Sequence, residues 1–118
     1  MSLRDTSPEA IEARLQELRG VGDAYAKAFA RAAALEEGKK SRLAVLMKKH
    51  EQLGHKTTAA QEREARADPE YQALIEALES AIEERERYRW TLELAKLSIG
   101  LYQTMQANQR QERRAYGA

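Results

Sequence analysis

From residue 11 to residue 53, apolar residues recur at alternating steps of four and three. The positions are Ile11, Leu15, Leu18, Gly22, Tyr25, Phe29, Ala32, Glu36, Lys39, Leu43, Leu46, His50 and Leu53, and nine of the thirteen are apolar. This spacing puts them on one face of a helix. A strict seven-residue repeat kept for so long predicts a left-handed supercoil around a partner helix. Farther along, Tyr71, Leu74, Ile75, Leu78, Ala81 and Ile82 form one apolar stripe, enough for a helical hairpin. The stretch "RWTLELAKLSIGLYQTM" (89–105) behaves differently. Tyr88, Leu92, Ala95, Ile99 and Tyr102 continue one face, while Trp90, Leu94, Leu97 and Leu101 build a second on the opposite side. A two-helix hairpin covers only one of these faces. The second predicts an interface with another copy, unless residues 8–20 fold back as a separate helix and cover it.

Local chemistry places the helix ends. In Ser7-Pro8-Glu9, the serine suits an N-cap and the proline the first helical position. Gly54 in "GHKTT" suits a C-cap, and Thr57 or Thr58 can cap the helical piece that follows. Asp68-Pro69-Glu70 is the strongest start signal in the chain. The expected architecture is all-α and a single unit over 1–118. A long helix over 8–53, open to interruption near Gly20–Gly22 and Gly38, leads to a connector helix over 58–67. A second long helix over 69–114 completes a long, coiled-coil-like antiparallel hairpin, assembled into an oligomer. The glycines admit a kink, a close backbone approach or a short break.

Composition agrees with long helices. A third of the 118 residues are charged, aromatic residues are few and only two are proline. Cysteine is absent, which excludes disulfides, thiolate metal sites and a thiol nucleophile, and fits a cytoplasmic location. The most apolar stretch is broken by Arg89, Glu93 and Lys96, so neither a membrane span nor a secretory signal is expected.

The net charge of +1 conceals a segregation. Residues 39–59 carry Lys39, Lys40, Arg42, Lys48, Lys49 and Lys56 against Glu51 alone. Residues 60–86 hold nine acids against three arginines, and the end of the chain is basic again through Arg110, Arg113 and Arg114. The basic zone has two readings. It is an ordinary helix edge, paired with the acids of 76–86 on an antiparallel partner, or a phosphate-binding surface made of Lys39, Lys40, Arg42, Lys48 and Lys49. Nothing in it implies base-specific readout.

Catalytic chemistry is not in evidence. There is no phosphate-binding glycine loop, nucleophile elbow or His-Glu-x-x-His motif. His50 and His55 lack the i, i+4 spacing of a paired metal site, and His50 falls on the apolar seam. The glutamates of "EERER" and "QERE" read as a solvated helix face. No enzyme activity, catalytic residue, metal or cofactor is expected.

The segment "GKKSRLAVLMKKHEQLG", followed by an acidic connector, "ADPEY" and a helix containing Tyr-x-Trp, resembles the phage recombination mediators of the UvsY type over about residues 36–114. Those are helical, self-assembling proteins that load a recombinase onto single-stranded DNA coated by a single-strand binding protein. The Lys-x-Arg-Leu cluster is here Lys40, Arg42 and Leu43, and the resemblance implies DNA contact at Lys40 and Arg42. It implies assembly through the last helix, here Trp90, Leu94, Leu97 and Leu101. The leading expectation is therefore a self-assembling, non-enzymatic accessory protein of phage-type DNA recombination in the cytoplasm, the host's if phage-encoded. It would bind single-stranded DNA without sequence preference, with a recombinase or single-strand binding protein as partner. The alternative is a structural or adaptor coiled coil of phage assembly or scaffolding that binds no nucleic acid. Pairing of Lys40, Arg42 and Lys49 with Glu76, Glu79, Glu83 or Glu84 favours the adaptor, and their lining a repeated groove or ring opening favours DNA binding.

Overall fold

A computed structural model describes residues 7–117. Three helices account for nearly all of them: α1 (Pro8–Gln52), α2 (Thr58–Ala67) and α3 (Pro69–Ala115). The described residues contain no strand, so the fold is all-α, as expected.

Each helix begins where side-chain chemistry dictates. The Ser7 hydroxyl accepts the Ala10 N–H at 3.2 Å, with Pro8 at the first helical position. Thr57, rather than Thr58, caps α2 by accepting the Ala60 N–H at 3.1 Å. One carboxylate oxygen of Asp68 accepts the Glu70 N–H at 2.9 Å and caps α3. At the end of α1, Gly54 takes a φ of 110°, and its N–H bonds to the Glu51 carbonyl at 3.1 Å. The His55 N–H reaches back to the His50 carbonyl, also at 3.1 Å. These two bonds form a Schellman motif, which needs a glycine at the position where φ is positive.

The long helices run through their glycines. Gly20, Gly22 and Gly38 all lie inside α1 with no break, and a Cβ added to any of them would meet nothing within 4 Å. Neither an interruption nor a close backbone approach explains them. The ends fall within one residue of those read from the sequence.

The contacts divide the chain into two compact units, one of Met1–Tyr25 with Arg87–Ala118 and one of Ala26–Glu86. In the second unit, residues 26–52 of α1 lie antiparallel to residues 69–86 of α3, with α2 between them in sequence. Its core is Leu46, Ala65 and Tyr71, packed by Leu43, Met47 and Ile75. Every buried apolar side chain among the described residues belongs to this unit: Ala28, Ala32, Leu46, Ala65, Tyr71, Leu78 and Ala81. Four of the seven are alanine, so the core is thin.

In the first unit, residues 8–25 of α1 lie antiparallel to residues 87–115 of α3. Val21 and Thr91 line one groove of about 290 Å³, and Ile11 and Tyr102 line another of about 240 Å³. Residues 8–20 are continuous with the rest of α1, so they are not a separate helix folded over the second apolar face. Leu18, Val21, Tyr25, Leu92, Ala95, Ile99 and Tyr102 meet along the seam, yet all are only half-buried.

The seam of α1 departs from the sequence reading at its flanks. Ile11 and Leu15 are 40% exposed, Phe29 is 52% exposed and Leu53 is 66% exposed. Glu36 is exposed as well. The buried and half-buried positions run instead through Ala10, Arg14, Leu18, Val21, Tyr25, Ala28, Ala32, Leu35, Lys39, Leu43, Leu46 and His50. Eleven steps cover the forty residues from Ala10 to His50, about 3.6 residues per step. That is the period of an ordinary α-helix, not the 3.5 of a sustained heptad seam. Small and polar residues occupy the inward positions, which hides the true stripe from a search for large apolar side chains. Phe29 is partly shielded by the guanidinium of Arg85, 5.8 Å from the ring centre.

Candidate functional site

The second apolar face of α3 is uncovered. Trp90 is 59% exposed, Leu94 56%, Leu97 62% and Leu101 61%, and Met105 at 49% extends the row by another turn. Their steps of four, three, four and four keep them on one side of the helix. The opposite face, Tyr88, Leu92, Ala95, Ile99 and Tyr102, is half-buried, as the two-stripe pattern predicts. Within the first unit α1 covers only that one stripe. Leu94 borders the groove lined by Arg14, Glu17, Leu18 and Val21, while Trp90 and Leu97 line an open surface pocket with Arg89 and Glu93. A row of five large apolar side chains on one helix face is the sort of patch that marks an interaction surface.

The ion pairs of the basic zone differ from the pairing expected with the acids of 76–86. Lys39 pairs with Glu36 one turn earlier at 3.3 Å. Arg42 reaches Glu70 at 3.8 Å, and Lys49 reaches Asp68 at 2.9 Å. The partners are therefore the acids at the start of α3, not those of 76–86. Arg31, outside the zone, reaches that stretch through Glu84 at 4.0 Å. Lys40 and Lys48 are exposed and make no ion pair among the described residues.

Asp68 is the residue that sequence reasoning understated. Predicted only as a helix cap, it is one of the most buried polar residues in the structure, 5% exposed. Its N–H closes α2 on the Ala65 carbonyl, and its carboxylate caps α3. The same carboxylate accepts hydrogen bonds at 2.9 Å from Lys49 Nζ and His50 Nε2, in the last turn of α1. One residue thus ties together the ends of all three helices, its side chain joining α1 to α3 and its backbone N–H closing α2. The Lys49 ammonium, then the Glu70 N–H, then His50 hold its carboxyl far below the usual carboxylate range. In return the Asp68 carboxylate pushes the Lys49 ammonium up, against the opposing effect of desolvation. The signal was present in the sequence. Lys49-His50 closes one helix and Asp68 opens another, with only a short connector between.

The two histidines meet because of the Schellman motif. Residues at its C3 and C″ positions are brought together, and His50 and His55 occupy them, with ring centres 5.8 Å apart. Among the described residues, no group of three or more His, Asp or Glu side chains has the arrangement of a metal site. No described helix is long and apolar enough to cross a membrane. Comparison with known proteins finds no matching family model, and no similar curated sequence or solved structure.

Proposed function

We propose that this chain is a non-catalytic assembly protein, a helical adaptor or scaffold that associates with copies of itself through α3. The observation that carries this reading is the uncovered row Trp90, Leu94, Leu97, Leu101 and Met105, in a unit that buries no apolar side chain of its own among the described residues. Covering five such side chains is worth roughly 25 cal/mol for each Å² of apolar surface removed from water. The internal pairing of Arg42 and Lys49 further favours an adaptor over a phosphate-binding surface. The test is the mass in solution by light scattering. The wild-type chain should exceed its monomer mass of 13.4 kDa. The double variant Trp90→Glu, Leu94→Glu should fall to it with helicity largely preserved. A wild-type chain that stays monomeric at high concentration would refute the reading.

A second reading rests on Lys40 and Lys48, which are exposed and free of ion pairs among the described residues. In an assembly these cations repeat with every copy and their fields add. With Lys39, Arg42 and Lys49 they would hold single-stranded DNA by its phosphates, the role of a recombination mediator in a cytoplasm, with a recombinase or single-strand binding protein as partner. Fluorescence anisotropy of a labelled oligonucleotide decides it. Micromolar binding that weakens steeply with salt is the expected outcome for a mediator. No binding at low salt leaves the adaptor reading alone.

A further inference from the structure

The turn between α1 and α2 brings together the only two histidines of the chain. On a continuous helix, residues five apart point in different directions. The Schellman motif overrides that, leaving the rings of His50 and His55 with centres 5.8 Å apart and planes tilted by 55°. The backbone of His55 is fixed on both sides. Its N–H bonds to the His50 carbonyl at 3.1 Å, and its own carbonyl accepts the Gln61 side-chain amide at 3.0 Å.

The His50 ring is held from its far side. Nε2 lies 2.9 Å from Asp68 Oδ2, and a carboxylate can only accept, so Nε2 carries the ring proton. In the neutral ring this leaves the lone pair on Nδ1. That atom is buried and has no hydrogen-bond partner among the described residues, a costly arrangement for a polar group. A carboxylate on one ring nitrogen with the other left to bind is how proteins orient a metal-ligating histidine. Two imidazoles on one ion, each bound at about 2.0–2.1 Å, have ring centres roughly 5–6 Å apart, so the observed spacing needs little adjustment.

We infer that His50 Nδ1 and a ring nitrogen of His55 bind one divalent transition-metal ion, with Asp68 as the positioning residue behind His50. Nitrogen donors suit zinc, nickel or copper, whereas magnesium and calcium take oxygen. No third His, Asp or Glu completes a protein cage among the described residues, so water fills the remaining positions and the site stays open. Nδ1 is closed to water, and the half-buried His55 ring is the group that turns to admit the ion. The bound ion clips the last turn of α1 to the segment leading into α2. Unfolding separates the two rings, so the ion stabilises the folded chain. The inference is independent of the assembly reading.

With two histidines and no cysteine, the imidazole NMR spectrum of the full chain contains these two rings alone. Zinc should shift both together and saturate at one ion per chain, while magnesium shifts neither. The nitrogen shifts also report the tautomer, which should be Nε2–H for His50 in the metal-free wild type. Asp68→Asn keeps an oxygen for the α3 cap but offers His50 a donor in place of an acceptor, so the ring proton should move to Nδ1. That variant should lose roughly 10–100-fold in zinc affinity, and His55→Ala, which removes a ligand but no backbone bond of the turn, no less. Helicity should be unchanged in His55→Ala. A response from one ring alone, an Nδ1–H tautomer in the wild type, undiminished affinity in either variant, or no shift at millimolar zinc overturns the inference.

Discussion

At the scale of single residues, Asp68 concentrates more of the structure than any other side chain described. Its depressed acidity sets a pH dependence with a definite sign. A carboxylate whose folded value lies below the unfolded one of about 3.9 contributes stability that is fully present above that pH and is lost as acid protonates the folded form. The raised Lys49 has the opposite sense, its contribution being present below about 10.4 and lost as pH rises through the folded value. The three-helix tie therefore acts between these limits. Asp68→Asn retains an oxygen to cap α3 but loses the charge that holds Lys49. It should unfold at lower urea than the wild type at pH 7, and the gap between the two should narrow steadily as pH falls from 4 towards 2. A gap that stays constant over that range would mean the carboxylate charge does not support the turn.

At the scale of elements, the sequence was most legible where an end is made by one residue and its immediate neighbours. Ser7, Thr57, Asp68 and Gly54 all act within a few residues of themselves, and local hydrogen bonding suffices to place them. The inward stripe of α3 was legible for a related reason, since large apolar residues fill it. The stripe of α1 was not. Ala10, Ala28 and Ala32 face inward while Ile11, Leu15 and Phe29 stand at the flanks, so residue size misreports direction. Nor could the partners of the basic zone be read, because the acid that meets a given lysine depends on the register of the two helices, which no single helix records. The glycines of α1 give an element-scale expectation. Each sits in unbroken helix with open space where a Cβ would go, so it weakens α1 without structural need. Gly20→Ala and Gly38→Ala should each stabilise the chain by about 0.5–1 kcal/mol in urea denaturation. Gly54→Ala, at positive φ, should do the reverse.

At the scale of the whole molecule, seven buried apolar side chains are few for the 111 described residues, and none of the seven lies in the first unit. Chains with so little core usually draw stability from assembly. Folding coupled to association makes stability depend on concentration. The melting temperature followed by circular dichroism should therefore rise by about 3 °C for each tenfold increase in protein, taking a two-chain unit with ordinary unfolding entropy per residue. A melting temperature independent of concentration would locate the missing stability within the single chain.

Trp90 is the only tryptophan among the 118 residues, and it lies on the uncovered row of α3. The indole emission of the native protein therefore comes from this surface and from nowhere else. In water the emission is red-shifted and open to quenching by iodide. Once another surface closes over the ring, it moves to the blue and the quencher is shut out. The chain carries its own optical probe of whatever occupies that face, readable without a label and in any mixture whose other components lack tryptophan.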